Sequence, residues 1–348
     1  MSNHEKYIKH CLDLAVKGLG QVAPNPMVGC VIVCDGEIIG EGYHELYGKE
    51  HAEVNAIHSV KNKELLKRST LYVNLEPCSH FGKTPPCADL IMEYKIPYVV
   101  IGSIDTNSLV SGKGIEKLAK AGIDVKIGIL EADCKKLNKR FFTYHEKKRP
   151  YIILKWAQTE DGFIDAKRNE ENTTKPIQIS NSDSKKLLHL WRSQEQAIII
   201  GTNTALLDNP QLTVREVKGK NPLRITIDKW IRIPKHFNLF DKSTPTLIFT
   251  SVNEISNENL EYVKIDFEKP IIPQVLDELY KRNIQSLLVE GGELLLNSFI
   301  DSDLWDAARV FISDKELGKG VNAPVLKESP VVRENISGDK LLFYLKGS

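Results

Sequence analysis

The feature that most constrains the fold of this chain is a regular alternation of short apolar segments with amphipathic ones. STLYVNL at 69–75 and YIILKWA at 151–157 have the length and composition of buried strands. SDSKKLLHLWRSQEQ at 182–196 has the apolar spacing of a helix, with serines placed to cap its start. Alternating strands and helices favour α/β domains with mainly parallel sheets, so we predict an α/β fold in both halves of the chain.

A charged segment interrupts this alternation near the middle of the chain. The sequence EKKRP at 146–150 combines three basic residues with a proline, and strands restart directly after it. A chain of 348 residues is also too long for a single small core. We therefore predict two domains, the first over residues 1–147 and the second over residues 148–348.

Composition and charge exclude several classes of protein. The formal net charge is +1, which argues against a surface dedicated to nucleic acid or to anionic membranes. No apolar run approaches the length of a membrane span, and the first ten residues are polar, unlike a secretory signal. We expect a cytoplasmic protein that binds neither nucleic acid nor membrane.

The cysteines are scattered, and a protein of this size does not need disulfide bonds, so we expect reduced thiols. Four of them lie in apolar patterns and are predicted to be small core residues: Cys11, Cys30, Cys34 and Cys134. The other two, Cys78 and Cys87, flank a loop in EPCSHFGKTPPC at 76–87.

Several elements of the first half can be predicted locally. MVGCVIVCDGEIIGEG at 27–42 predicts a β-hairpin around the Asp35-Gly36 turn. HAEVNAIHSV at 51–60 and CADLIMEYK at 87–95 predict helices that begin at His51 and Cys87. A single helix is predicted from Glu131 to the linker.

Three side chains in and between these elements are candidate zinc ligands. His51, Cys78 and Cys87 would give zinc one nitrogen and two sulfur ligands and leave the fourth position for water, as in catalytic zinc sites. Zinc lowers the pKa of such a water to about 7. Glu53, two residues after His51, can take the water's proton and pass it to a departing amine, so we predict that it is the catalytic acid–base group.

Each part of this pattern is weak alone, because His-x-Glu at a helix start is common and structural zinc sites favour shorter cysteine gaps. Together they resemble the zinc nucleobase deaminases, which pair H-x-E with a Pro-Cys motif. Those enzymes keep two residues between the cysteines, whereas this chain has eight.

The longer loop is informative. EPCSHFGKTPPC, together with APNPMVGCVIV at 23–33, resembles the deaminase half of the bifunctional riboflavin-biosynthesis deaminase–reductases. The resemblance implies a cytidine-deaminase-like α/β/α domain. It also implies substrate contacts from Asn25, His44, His80 and Lys83, the last two over a phosphate-bearing ribose. An alternative is that His44 and His80 are solvated loop residues without a role in binding.

The second half lacks the G-x-G-x-x-G turn of ordinary dinucleotide-binding domains. VEGGELLLNSFI at 289–300 instead predicts a strand, a glycine turn and a helix whose free N–H groups could hold a phosphate. A purely structural glycine turn remains an alternative.

Three segments of this half, LKWAQTEDGFI, IIIGTNTALLDNPQLTVR and LLVEGG, resemble the reductase half of the same family. The resemblance, which covers essentially the whole chain, implies a dihydrofolate-reductase-like α/β domain. The implied NADPH-binding residues are Ala157, Thr204, Asp208 and Gly292. The implied substrate-binding residues are Arg192, Leu212, Arg215 and Glu290. The two arginines suit a ribose phosphate, which guanidinium groups bind bidentately. KPIQIS at 175–180 departs from the family pattern, so no role is assigned there.

The resemblance therefore implies a zinc- and NADPH-dependent enzyme with two successive activities. The first is hydrolytic deamination of 2,5-diamino-6-(phosphoribosylamino)pyrimidin-4-one, and the second is reduction of the ribosyl group of 5-amino-6-(5-phosphoribosylamino)uracil to ribityl. We expect a homo-oligomer, a dimer or tetramer, acting on small molecules. One alternative is a nucleotide or tRNA deaminase with an appended nucleotide-binding domain, and another is a regulator with structural zinc. The extended loop opposes the first alternative, and Glu53 opposes the second.

Overall fold

The structure is a computed structural model that describes residues 2–81, 85–107, 111–168 and 176–347. It divides into two compact units, residues 1–148 and residues 149–348. No helix within these described ranges combines the length and the apolar composition that a segment crossing a bilayer needs.

The first unit is built around one five-stranded sheet. Its strands are β1 (Gly29–Cys34), β2 (Glu37–Tyr43), β3 (Thr70–Leu75), β4 (Tyr98–Ser103) and β5 (Asp124–Ile127). Its helices are α1 (Asn3–Ala15), α2 (Ala52–Ser59), α3 (Cys87–Glu93), α4 (Lys113–Lys120), α5 (Glu131–Leu137) and α6 (Lys139–Lys147). The strand order is β2-β1-β3-β4-β5, with β1 antiparallel to both neighbours and β3, β4 and β5 parallel.

Both faces of this sheet are covered, and accordingly every residue of β1 is apolar and buried. Cys30 and Ile32 point to one face and join the core formed by α2, α3 and α4. Val31 and Val33 point to the other face, where they pack against α1 and α5. The result is the predicted α/β/α arrangement. The hairpin between β1 and β2 turns at Asp35 and Gly36, which both have positive φ, as tight hairpin turns need.

The second unit contains a nine-stranded sheet. Its strands are β6 (Tyr151–Gln158), β8 (Ala197–Gly201), β9 (Leu223–Ile227), β10 (Thr246–Thr250), β11 (Leu260–Lys264), β12 (Ser286–Val289), β13 (Ala307–Ile312), β15 (Val332–Ile336) and β16 (Asp339–Leu345), and a separate pair is β7 (Phe163–Asp165) with β14 (Val321–Asn322). Its helices are α7 (Ser182–Gln194), α8 (Thr202–Asp208), α9 (Ile271–Lys281) and α10 (Glu293–Asp301).

The order of this sheet places β6 and β12 at its centre. It runs β11-β10-β9-β8-β12-β6-β13-β16-β15, parallel from β11 to β13 and antiparallel at β16 and β15. The carboxyl ends of β8 and β12 therefore meet at one edge, where open α/β sheets bind their ligands. The prediction of mainly parallel sheets is confirmed for this unit, whereas the sheet of the first unit is mixed because β1 runs against both of its neighbours.

Two local predictions are wrong. The single helix predicted from Glu131 is interrupted at Asn138, which has φ −95° and ψ 25° and separates α5 from α6. The start of α7 is capped by Asn181, whose side chain accepts hydrogen bonds from the N–H groups of Asp183 and Ser184, and not by a serine.

Candidate active sites

Three side chains predicted to bind zinc lie together at the carboxyl end of β3. His51 precedes the first residue of α2, Cys87 is the first residue of α3, and Cys78 follows β3 by three residues. Nδ1 of His51 lies 3.5 Å from Sγ of Cys78 and 3.3 Å from Sγ of Cys87. All three ligand atoms fall within 4.8 Å of one another. Among the described residues, this is the group of histidine, cysteine or carboxylate side chains that is close enough to hold a metal ion.

This geometry fits a tetrahedral zinc ion. Zinc binds histidine nitrogen at about 2.0 Å and thiolate sulfur at about 2.3 Å, which places such ligand atoms roughly 3.5 Å apart. The electrostatics favour one thiolate in the cysteine pair. A hydrogen bond from the Cys87 thiol, with a smaller effect of His51, lowers the pKa of Cys78 to about 4, while the same bond and burial raise the pKa of Cys87. Cys78 is therefore a thiolate at neutral pH, which is the form that ligates metal.

Glu53 lies in the first turn of α2 and is 3% exposed. Burial raises the pKa of its carboxyl group, which also accepts a hydrogen bond from the Cys87 thiol. Its oxygens are not part of the ligand cluster. A carboxylate beside a metal site, outside the ligands and with a raised pKa, is suited to accept and return a proton.

Asn25 and His44 adjoin the zinc ligands. Nδ2 of Asn25 lies 3.1 Å from Nε2 of His44, and the His44 ring stands edge-on to the His51 ring at 5.3 Å. Because Nδ1 of His44 lies 2.9 Å from the carbonyl oxygen of Glu50, which can only accept, Nδ1 carries the proton and Nε2 accepts from Asn25. Burial lowers the pKa of His44, which favours this neutral form. At 2% exposed, His44 is not a solvated loop residue.

The other two predicted substrate contacts of this half have a different status. His80 is exposed and has no hydrogen bond or ring contact with the zinc cluster within the described part of the chain. Lys83 lies outside the described residues.

Glu76 is a buried residue of this site that sequence reasoning missed. Its carboxylate accepts hydrogen bonds of 2.9–3.3 Å from four backbone N–H groups, those of Asp105, Gly112, Gly114 and Ile115. The segment after β4 is thereby attached to the strand end that carries Cys78. A glutamate between an apolar strand and Pro77 was the available signal, because a charged group at such a position needs partners.

In the second unit, Arg192 and Glu290 form a buried ion pair. Nε of Arg192 donates to one Glu290 oxygen at 2.8 Å and Nη2 to the other at 2.7 Å, while Nη1 lies 3.3 Å from the carbonyl oxygen of Thr213. Arg192 is in the last turn of α7 and Glu290 follows β12. Burial opposes the charge on Glu290, but the guanidinium outweighs it and keeps the pKa of Glu290 below its usual value.

The glycine turn predicted to bind NADPH packs closely against β8 and α8. A Cβ at Gly291 would lie 2.7 Å from Cα of Ile200, and one at Gly292 would lie 3.0 Å from Oγ1 of Thr204. Gly292 has φ +39° and precedes the first residue of α10. This close backbone approach and the free N–H groups at the start of α10 suit a phosphate of a nucleotide cofactor.

Asp208 lies at the end of α8 and is bound to Arg168. Nη2 of Arg168 donates to Asp208 at 2.6 Å and also contacts Asp165, and Nη1 lies 3.2 Å from the carbonyl oxygen of Leu207. Burial raises the pKa of Asp208, partly offset by Arg168. Ala157, the remaining predicted cofactor contact, is half-buried near the end of β6.

Leu212 and Arg215 belong to the loop after α8. Leu212 is buried with φ +55°, and Arg215 is exposed with its guanidinium 2.8 Å from Oγ1 of Thr213. The backbone N–H of Arg215 donates to Nδ1 of His189 at 3.1 Å. Burial, with the charges of Arg192 and Arg215, lowers the pKa of His189 to about 4.

Lys155, on β6, was also missed. Burial lowers the pKa of its ammonium group, the Glu290 carboxylate opposes that shift, and Nζ lies 5.8 Å from the centre of the Phe311 ring. A half-buried lysine beside a buried carboxylate at the edge of a predicted substrate site is a candidate proton donor. Lys155 belongs to LKWAQTEDGFI, a segment that resembles the reductase half, but a single lysine in a strand does not by itself indicate a functional role.

Comparisons with known proteins identify a family for each half of the chain. Residues 1–103 match the family model of the cytidine and deoxycytidylate deaminase zinc-binding region, and residues 150–337 match that of the RibD C-terminal domain. The riboflavin biosynthesis protein RibD of Aquifex aeolicus is 40% identical, covering 98% of this chain and 98% of its own length. Its counterpart in Escherichia coli is 35% identical, over 90% and 88%.

Solved structures are similar over the whole chain. A diaminohydroxyphosphoribosylaminopyrimidine deaminase/5-amino-6-(5-phosphoribosylamino)uracil reductase from Thermotoga maritima is 39% identical, with 98% of each chain covered and a TM-score of 0.87. RibD of Acinetobacter baumannii is 29% identical, with 99% and 98% covered and the same TM-score.

The fold and the sites thus define a two-domain enzyme that joins a zinc-dependent deaminase to a reductase. The chain belongs to the RibD family of bifunctional riboflavin-biosynthesis enzymes, and zinc and NADPH are its cofactors. The fold class, the family and the two activities predicted from the sequence are confirmed, and a nucleotide or tRNA deaminase with an appended domain is not favoured.

Proposed function

We propose that the first unit removes an amino group from 2,5-diamino-6-(phosphoribosylamino)pyrimidin-4-one and that the second reduces 5-amino-6-(5-phosphoribosylamino)uracil to its ribityl form. The proposal assigns deamination to residues 1–147 and reduction to residues 148–348. The observation that carries it is the cluster of His51, Cys78 and Cys87 with the Glu53 carboxylate buried beside it but outside the ligands.

In the deaminase site, His51, Cys78 and Cys87 would hold zinc, which supplies the Lewis acidity that makes water a nucleophile near neutral pH. Glu53 accepts one proton from the attacking water and delivers a proton to the departing nitrogen. The water oxygen is thereby bonded to the ring carbon, and ammonia leaves. The raised pKa of Glu53 helps it return the proton.

Asn25 and His44 bind the pyrimidine in this proposal. Asn25 uses its Nδ2 on His44, and its Oδ1 accepts no hydrogen bond within the described part of the chain. That oxygen can accept from an N–H group of the substrate. Lys83 and His80 on the long cysteine loop are proposed to face the ribose phosphate.

In the reductase site, conversion of ribosyl to ribityl opens the sugar ring and adds one hydride and one proton. NADPH supplies the hydride. We assign its binding to Ala157, Thr204, Asp208 and Gly292. Lys155 is suited to provide the proton, because burial weakens its hold on it.

The substrate contacts of the reductase site divide into two roles. Arg192 donates hydrogen bonds from three of its nitrogens to Glu290 and Thr213, so its proposed role is to hold the Glu290 carboxylate toward the sugar. Arg215 is exposed and is the better placed of the two arginines to bind the phosphate. Leu212, buried at the base of the same loop, is proposed to contact the pyrimidine.

A pair of variants in the full chain tests the assignment. Cys78→Ser should lose zinc and ammonia release, because a serine hydroxyl stays protonated and is a poor zinc ligand, while NADPH oxidation on the already deaminated intermediate persists. Asp208→Ala should weaken NADPH binding and leave ammonia release intact. Zinc analysis, ammonia release, NADPH oxidation and thermal melting are measured on both.

Three results would contradict the assignment. Unchanged zinc content in Cys78→Ser would mean that the metal site is misplaced. Earlier melting of Asp208→Ala with normal NADPH affinity would make Asp208 a structural partner of Arg168 only. Loss of both activities in either variant would argue against two separate sites.

The proposal extends to compartment and assembly. A cytoplasmic location suits six cysteines that are all free in the structure, because thiolate zinc ligands persist in a reducing environment. We further propose a homo-oligomer, a dimer or tetramer, that acts on small molecules and not on nucleic acid. Analytical ultracentrifugation with and without added RNA tests both points.

A further inference from the structure

A buried asparagine, Asn138, lies at the break between α5 and α6. Asn138 is 2% exposed and precedes α6, a position where asparagine normally caps the helix with its side chain. It makes no such cap bond here. Its side chain instead reaches a segment 111 residues earlier in the sequence.

That segment is the backbone of Met27. Oδ1 of Asn138 accepts the Met27 N–H at 2.8 Å, and Nδ2 donates to the Met27 carbonyl oxygen at 2.8 Å. Asn74, fully buried on β3, donates to the same oxygen at 3.1 Å and accepts the Gly29 N–H at 2.7 Å. Two buried amides thus bind three backbone groups of residues 27–29, and Asn138 alone binds both the N–H and the carbonyl oxygen of Met27.

The residues on either side of Met27 lead directly to the deaminase site. Two positions before it, Asn25 contacts Nε2 of His44 at 3.1 Å. One position after it, the carbonyl oxygen of Val28 accepts the backbone N–H of His44 at 2.9 Å. His44 in turn stands edge-on to the zinc ligand His51. Any shift of the Met27 backbone is therefore passed to Asn25 and His44.

We propose that Asn138 is a positioning residue of the deaminase site, which fixes the Met27 backbone so that Asn25 and His44 stand at the correct distance from the zinc cluster. The residue lies beyond the matched deaminase zinc-binding region, which ends at residue 103. The helix pair at the end of the first unit is thus part of the catalytic architecture. This inference rests on the proposed roles of Asn25 and His44 in deamination.

The test uses the full chain with zinc and the diaminopyrimidine phosphate. Asn138→Ala should retain zinc but lose about tenfold to a hundredfold in kcat/KM for ammonia release, mainly through KM, because misplacing a binding group by about 1 Å can cost up to about a hundredfold. NADPH oxidation on the deaminated intermediate should stay within about twofold of wild type. Asn62→Ala, which removes an exposed asparagine cap from the same unit, is the matched control and should behave as wild type.

A double variant separates positioning from general stability. If Asn138 acts through Asn25, adding Asn138→Ala to Asn25→Ala should lower kcat/KM by less than about threefold more, because contacts in one network are not additive. Asn138→Asp keeps the volume and the acceptor for the Met27 N–H but loses the donor, and should show the same KM effect if the alanine variant does not fold.

The outcomes are distinct. Fully additive losses, or a lower melting temperature with unchanged kinetic constants, would make Asn138 a structural residue and overturn the inference. So would loss of zinc in both Asn138 variants, or an Asn25→Ala variant with normal kinetics. If the wild-type chain itself releases no ammonia, the proposed function fails and this inference falls with it.

Discussion

Glu53 combines features that distinguish a proton-transfer group from a zinc ligand. It is buried, its pKa is raised by burial, and it bonds to the Cys87 thiol without joining the ligand cluster. We predict that Glu53→Gln keeps zinc but loses at least about a hundredfold in ammonia release, because an amide can neither accept nor return the proton. Zinc content and initial rates of ammonia release measure this.

A control for this variant lies three residues away. Glu50 is exposed, and its side chain lies 3.8 Å from the exposed His58. Glu50→Gln should therefore keep full activity. Normal deamination by Glu53→Gln at full zinc occupancy would remove Glu53 from the mechanism.

At the level of residues, the sequence predicted those site residues whose positions are set by the spacing of a local motif. The candidate ligands occupy fixed positions at helix starts and after a strand end, so the cluster of His51, Cys78 and Cys87 follows from the motif. Lys155, Glu76 and Asn138 were missed for a common reason. Each gains its role from groups distant in the sequence, as Asn138 does from Met27, and no local pattern marks such a pairing.

At the level of elements, α7 connects two parts of the reductase site. Its residue His189 accepts the Arg215 N–H on Nδ1, so the ring is neutral when this bond is intact. Burial has the largest effect on the His189 pKa and lowers it, and the charges of Arg192 and Arg215 lower it further. Glu216 and Glu290 oppose this shift, and the resulting pKa is about 4.

This depressed pKa predicts acid sensitivity. An unfolded histidine has a pKa of about 6.5, so the stabilising effect of neutral His189 is complete above that pH and is lost as pH falls toward about 4. His189→Asn cannot titrate and can still accept from Arg215. Between about pH 7 and about pH 4.5, the wild-type chain should lose more unfolding free energy than His189→Asn does. Urea unfolding at both pH values measures the difference, and equal losses would contradict the assignment.

Secondary structure was predicted well where a segment is strongly periodic. The hairpin at Asp35-Gly36, the helix starts at His51 and Cys87 and the strands β6, β8 and β12 follow from local sequence. The break at Asn138 did not, because the helical pattern continues through it and the bonds from its side chain reach Met27, 111 residues earlier in the sequence. The strands after residue 300 were not assigned, since β13 is defined by its pairing with β6 and β16, and β16 by its pairing with β13 and β15.

At the level of the whole molecule, the division into two units is expected to be functional. Arg149 is the first residue of the second unit and pairs with Asp306 through both Nη atoms, at 2.5 and 2.9 Å. Asp306 also accepts the N–H of Ile152 at the start of β6. The guanidinium thus helps to anchor the first strand of the central sheet.

We predict that residues 149–348 alone form a folded reductase that oxidises NADPH with the deaminated intermediate. A fragment that starts at residue 151 lacks the Arg149 pair and should be less stable by about 3 kcal/mol, since removing one partner of a buried ion pair costs about that much. A fragment that starts at residue 146 is the control and should match the one from 149. Denaturant unfolding of the three fragments tests this, and equal stabilities would show that Arg149 contributes nothing.

A coupled assay can show whether one chain catalyses two consecutive reactions at two sites. The purified full chain, loaded with zinc, is given the diaminopyrimidine phosphate and NADPH, and ammonia and NADPH are followed together. We expect ammonia to be released first and NADPH oxidation to follow in equal amount, whereas Glu53→Gln should release no ammonia and oxidise NADPH only when the deaminated intermediate is supplied. NADPH oxidation without prior ammonia release, or ammonia release that never leads to NADPH oxidation, would show that the two reactions are not consecutive in this chain.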